Sequence, residues 1–140
     1  MKIRLPACLF LLTAFLSVPL CARSHSRPAQ PAALSDPGYV FALAAANHFL
    51  QAWQTGDLEH GMVLLSDGIR HSQNADKIDQ FFSNANDRAF EITRGHGHSG
   101  RYSFPVVLVT PRGSSHVTRR FSEIILIDTG KDDWVVDKLP

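Results

Sequence analysis

Beyond residue 21 this chain has no cysteine, because its two, Cys8 and Cys21, both fall near the start of the 140 residues. A domain built from the remainder has neither a disulfide nor a thiol nucleophile, so packing alone must hold it together. Charge of one sign is lacking too. Fourteen Lys and Arg stand against thirteen Asp and Glu, which argues against nucleic acid or an anionic membrane as partner, since either needs a concentrated basic surface. A membrane-spanning run is also missing: the apolar stretch Leu9 to Val18 has about ten residues, half of the roughly twenty that a spanning helix requires.

What that stretch does resemble is an export signal. Lys2 and Arg4 precede it, Pro19 follows it, and small residues gather at Ala22 and Ser24, in the order basic region, apolar core and cleavage zone. Cleavage after Ala22 or after Ser24 fits, which makes residues 1–24 a signal peptide and directs the protein to the periplasm or the outside, with no stable membrane insertion afterwards. The other reading anchors the chain through a lipid on Cys21, against which stands the bulk of Leu20 before it. Loss of Lys2, Arg4 and Arg23 takes the formal net charge from +1 to −2. The remainder, about 115 residues, can bury roughly two-thirds of its unfolded surface, enough for one core.

Residues 25–35, rich in proline, alanine and serine, read as a flexible tether, and the single domain spans 36–140. Asp36-Pro37 is a helix start. Tyr39, Ala42, Leu43, Ala46, Phe49, Leu50 and Trp53 then recur at three- and four-residue steps, the stripe of a long helix that Gly56 stops. Asp57 caps a second helix, Ser66-Asp67-Gly68 reads as a turn followed by an extended piece at Ile69, and Asn74 opens a third helix bearing Ile78, Phe81 and Phe82. After Asp87 the period falls to two, with Phe90 and Ile92, then Tyr102, Phe104, Val106 and Leu108, on one face each. A long strand 115–128 and a last strand 134–139 follow. Helices first and an antiparallel meander second is the α+β class, N-terminal helices packed on a curved antiparallel sheet.

The arrangement resembles the nuclear transport factor 2-like superfamily, whose cone-shaped fold is shared by ketosteroid isomerases, scytalone dehydratase and SnoaL-type polyketide cyclases. The residues that carry the resemblance are Phe49-Leu-Gln-Ala-Trp53-Gln-Thr-Gly56-Asp57, Leu64-Leu65-Ser66 and Asp133-Trp134-Val135-Val136-Asp137, and it covers residues 36–140. It implies a curved sheet around a long helix, often with a pocket inside the cone, and no particular reaction.

Candidate residues follow from which face of each strand turns inward. Phe49, Trp53, Phe90, Phe104, Phe121 and Trp134 are expected to line the cone. In 115–128 the parity of Val117, Arg119, Phe121, Glu123, Ile125 and Ile127 is the more apolar and is taken as the inner face. Glu123 and Arg119, about 13 Å apart along the strand, then enter the pocket, and Tyr102 adds a hydroxyl. A bulge that flips the register would instead put these charges in water, and Pro105 inside its strand signals an edge or a bulge nearby. His96 and His98, spaced as H-x-H, lie on one side of an extended chain; a metal site needs a third or fourth ligand, so they read as a solvated glycine-rich hairpin. No cofactor motif is present.

Three functions remain. The inward positions are nearly all hydrocarbon or aromatic, which favours a non-enzymatic exported module that binds a small apolar ligand, a peptide or a protein partner in the cone. An isomerase, dehydratase or cyclase would use Glu123 with Tyr102 or Arg119, and Glu123 on the outer surface would remove it. An assembly component of the cell envelope would form a homodimer through the outer sheet face at Ser103, Pro105, Val107 and Val109.

Overall fold

A computed structural model describes residues 36–140, apart from residues 74, 84, 85, 114, 115, 131 and 132. The expected signal peptide and tether, with Cys21, lie outside the described residues, as does the expected cap at Asn74. Among the described residues no helix is long and apolar enough to cross a membrane.

Helix α1 (Pro37–Thr55) begins as expected, with the Asp36 carboxylate accepting from the Gly38 N–H at 3.0 Å. It ends where Gly56 adopts φ 73°, a left-handed cap that glycine takes without steric cost. Asp57 caps α2 (Leu58–Val63). The turn and extended piece expected over 66–69 are instead a helix, α3 (Asp67–Ser72), because Ser66 Oγ accepts from the Ile69 N–H at 3.2 Å. Ser-Asp-Gly is equally a turn signal and a helix cap. Helix α4 (Ala75–Phe82) presses Phe82 over Gly61 of α2, where an added Cβ would stand 2.1 Å from the ring.

The sheet is antiparallel: β1 (Ala89–Ile92), β2 (His96–His98), β3 (Arg101–Arg112), β4 (His116–Asp128) and β5 (Trp134–Lys138), in the order β1-β3-β4-β5 with β2 also beside β3. Strands β1 and β2 share one flank of β3, with Ile92 opposite Val106 and His96 opposite Ser103. The flanking strand therefore breaks at Phe104 and Pro105. Thr93 N–H donates to Pro105 O at 2.9 Å, so the side of Pro105 that lacks an N–H faces this break, and the ladder to β4 loses nothing. At the other edge, Leu64–Ser66 runs along β5 through Ser66 N–H to Val136 O at 2.9 Å and Val136 N–H to Leu64 O at 2.8 Å, covering what would be an open strand.

Helix α1 lies against all five strands. Its buried Tyr39, Ala42, Ala46, Phe49, Leu50 and Trp53 meet Tyr102, Phe104, Val106, Leu108, Ile124, Leu126, Trp134 and Val136, each large side chain contributing about 1.5–3 kcal/mol by leaving water. Trp134 is 6% exposed and packs on Tyr102 at 5.4 Å between ring centroids.

One expectation is overturned. The inner face of β4 is the other parity: Phe104 pairs with Ile124 and Tyr102 with Leu126, and residues directly opposite in an antiparallel pair share a face. Val117, Arg119, Phe121 and Glu123 therefore point outward, and Phe121, expected in the pocket, is 79% exposed. Counting hydrophobic residues along β4 misleads because its inner face is apolar only over the half that α1 covers.

Candidate functional site

Beyond the end of α1, the inner faces of β3 and β4 continue without a helix on them, and α4 stands opposite. Between them is a cavity of about 430 Å³ lined by Trp53, Lys77, Gln80, Phe81, Arg88, Leu108, Thr110, Thr118 and Arg120. Two cross-strand pairs, Leu108 with Arg120 and Thr110 with Thr118, make its sheet wall. Trp53 comes from the last turn of α1, and Lys77, Gln80 and Phe81 come from α4.

Arg88 holds the elements of this end together. Asp87, at φ 56°, turns the chain into β1 in a conformation that aspartate tolerates, and Arg88 follows it, buried to 9% exposure. Its Nη1 donates to Trp53 O at 2.9 Å, Phe81 O at 3.3 Å and Phe82 O at 3.4 Å, which are carbonyls of the last turns of α1 and α4, where the helix dipoles are negative. The guanidinium also lies 4.8 Å from the Trp53 ring centroid, a cation–π distance, and Gln54 Nε2 donates to Arg88 O at 2.7 Å. Burial pushes the Arg88 pKa down, and Nε is buried without a hydrogen-bond partner.

The candidates read from the sequence are dispersed by the fold. Phe49, Phe104 and Trp134 are buried core, Phe90 packs at its margin, and of the expected pocket-lining aromatics only Trp53 also reaches the cavity wall. Glu123 is on the outer face, accepting from the Ser103 hydroxyl and from Lys138 Nζ at 3.0 Å. These partners hold its carboxyl below the usual carboxylate range, the reverse of what a general base in an apolar pocket needs, so the enzyme reading built on Glu123 loses its base. Arg119, opposite Val109, is exposed on the same outer face, with Phe121 between the two.

Tyr102 does turn inward, but about 20 Å of strand separates it from Leu108, and its hydroxyl donates to the Asp36 carboxylate. That bond and its burial raise its pKa to about 12, which makes it a tie between β3 and the start of α1. His96 and His98 are exposed on β2, joined to β3 through Ser99 and Gly100 at φ 52° and 80°, a tight hairpin turn. Among the described residues no group of three or more His, Cys, Asp or Glu gathers to hold a metal.

Sequence reading missed Lys77, Gln80, Arg88, Thr110, Thr118 and Arg120. The available signal was the face His116, Thr118, Arg120, Ser122, Ile124, Leu126, which turns from polar to apolar half-way as a strand does when it passes from a cavity into a core. A larger hollow, about 600 Å³ and lined by His48, Gln51, Ala52, Thr55, Asp57, His60, Val63 and Leu64, takes no residue from the sheet and lies outside the cone.

No protein-family model matches the chain, and no curated protein matches its sequence. Among solved structures, a designed protein of the nuclear transport factor 2-like type superposes with TM-score 0.54 at 16% identity, over 69% of this chain and 91% of the other. This chain has the nuclear transport factor 2-like fold. A SEC-C motif containing protein from Rhodopseudomonas palustris is similar at TM-score 0.57 and 10% identity, over 68% of this chain and 73% of that one. A chain described as an NTF2-like transpeptidase from Campylobacter jejuni reaches 0.49 at 16% identity, over 67% and 94%. At these identities the likeness speaks of fold alone. The cavity described above lies between the sheet and the small helix α4.

Proposed function

We propose that this chain is an exported, non-enzymatic binding module that takes a small ligand with an apolar body in the cavity between its sheet and α4. The observation that carries the reading is the composition of the cavity. Trp53, Phe81 and Leu108 supply aromatic and hydrocarbon surface, and among the described residues no carboxylate lines it, so those residues offer no acid–base pair of the form that isomerases and dehydratases use. Its volume is within the ordinary range of ligand sites, about 300–1,000 Å³. Export rests on the N-terminal pattern Lys2, Arg4, Leu9 to Val18 and Pro19, and the intact mass of the protein recovered from its host distinguishes cleavage near Ala22 or Ser24 from a lipid on Cys21.

The neutral fluorescent probe N-phenyl-1-naphthylamine tests the ligand reading. It should bind the wild-type protein and be excluded by Thr110→Trp, which fills the cavity from β3. Equal binding to a folded Thr110→Trp protein would refute the assignment of the site.

A second reading has an observation of its own. Phe121 and Val117 are 79% and 63% exposed, and Phe121 stands opposite Val107, beside the Pro105 and Val109 patch that the sequence marks out. These exposed apolar side chains, interrupted on the same face by Arg119 and Glu123, support self-association of two copies through the outer sheet. Light scattering across a concentration series decides it, and a mass that stays monomeric counts against it.

A further inference from the structure

We infer that the ligand of the cone is an anion: a small amphipathic molecule whose monoanionic head sits among Lys77, Arg88 and Arg120 while its apolar body lies on Trp53, Phe81 and Leu108. The inference rests on the reading of this cavity as the ligand site and specifies its chemistry.

The three cations reach the cavity from three elements, α4, the residue before β1, and β4, so they converge there through the fold and not through adjacency in sequence. His60 pairs with Asp57, Arg70 with Asp67, Arg101 with Asp137 and Lys138 with Glu123, and none of these four pairs involves a cavity cation. Among the described residues Arg88 meets carbonyl dipoles and an aromatic face, and its buried Nε–H has no acceptor there. An unmet donor of this kind is a standing cost that an oxyanion beside the guanidinium relieves. Arg120 has one nitrogen engaged, Nη2 donating to Pro140 O at 2.9 Å. Thr110, Thr118 and Gln80 add neutral hydrogen-bonding groups to the same wall.

A neutral ligand in this space gains only the apolar contacts and leaves Lys77, Arg88 and Arg120 without a counter-charge, so it binds less tightly than an anion with the same body. A cationic ligand would be repelled. An anionic head supplies that counter-charge, and the aromatic floor selects for an apolar body behind it. At about 430 Å³, in the lower part of the range for ligand sites, the cavity fits a short chain or a body of two or three rings. Carboxylate, sulfonate and phosphate diester heads share this chemistry.

The test uses the full chain and three probes of one chain length, octanoate, 1-octanol and octylammonium, titrated calorimetrically at low and high salt. Octanoate should bind about tenfold or more tighter than octanol, as one charge-assisted contact provides, and octylammonium more weakly than either. Added salt should weaken octanoate alone. Arg120→Met combined with Lys77→Met, both at exposed positions, should bring octanoate to the level of octanol in a protein that stays folded by circular dichroism, although loss of the Arg120 bond to Pro140 O lowers the melting temperature by a few degrees, and Thr110→Trp should abolish binding of both. Equal affinity for octanoate and octanol would overturn the anion inference and leave the ligand reading standing. Octanoate binding that survives Thr110→Trp would also overturn it, by placing the anion elsewhere. Failure of both to bind, together with failure of the naphthylamine probe, would remove the two readings together.

Discussion

Replacing Arg88 by methionine should cost the domain about 2 kcal/mol, and the structure shows where that figure comes from. Nη1 makes one short hydrogen bond, 2.9 Å to Trp53 O, and two longer ones to Phe81 O and Phe82 O; a hydrogen bond from a charged donor is worth about 1.5–3 kcal/mol net. The contact with the Trp53 ring adds about 1 kcal/mol. Against these stands the unpartnered buried Nε–H, whose removal returns about 1–3 kcal/mol. Methionine keeps the apolar stem in place but leaves the last carbonyls of α4 without a donor, whereas Trp53 O keeps the Gly56 N–H at 3.3 Å. The melting temperature should drop by roughly 8–12 °C for a domain of this size. Arg88→Lys, a point charge without the planar fork, should lose about half as much. Urea unfolding followed by circular dichroism, with an unchanged slope, measures both. If Arg88→Met is as stable as the wild type within about 0.5 kcal/mol, Arg88 does not join α1 to α4, and its retention must be explained by ligand binding alone.

Gly61→Ala drives a methyl into the Phe82 ring, 2.1 Å away, and should destabilise by about 1–3 kcal/mol through overpacking, read from the same urea curves. Tyr102 has its pKa raised to about 12 from 10.0. Because the folded value is the higher, its contribution is complete below pH 10 and is lost as pH rises towards 12; Tyr102→Phe should flatten that alkaline limb, and ultraviolet titration should show one of the two tyrosines ionising late. Glu123 has the opposite sign: its lowered pKa supplies stability above the ordinary carboxylate range that disappears as pH falls through the lower folded value, so Glu123→Gln should soften the acid limb. Phe121→Ser, at a side chain that is largely in water, should change monomer stability by less than about 0.5 kcal/mol, and any shift it causes in sedimentation reports on association of the outer sheet face.

The helical half was legible because its signals are local. Asp36-Pro37, the apolar stripe to Trp53 and Gly56 each act on their own few residues, and they place α1 within a residue of where it lies. The α3 segment was misread for the same reason, since Ser66-Asp67-Gly68 carries two local meanings and only the 3.2 Å bond to the Ile69 N–H selects one. The sheet depends on a different kind of information. The inward parity of β3 could be read from Tyr102, Phe104, Val106 and Leu108, all buried, because α1 and the other core elements cover that face along most of its length. The parity of β4 could not be read from β4 alone, because Val117, Phe121, Ile125 and Ile127 make its outer face the greasier one. It follows instead from the hairpin. Once Arg112 is opposite His116, every even-numbered residue of β3 faces an even-numbered residue of β4, and the known face of one strand dictates that of the next. The cavity is a consequence of the same rule. Where the paired inner faces run past the end of α1, residues such as Thr110, Thr118 and Arg120 are released from the requirement to be apolar, and polar side chains on an inward face mark the place where the core stops and a binding site can begin.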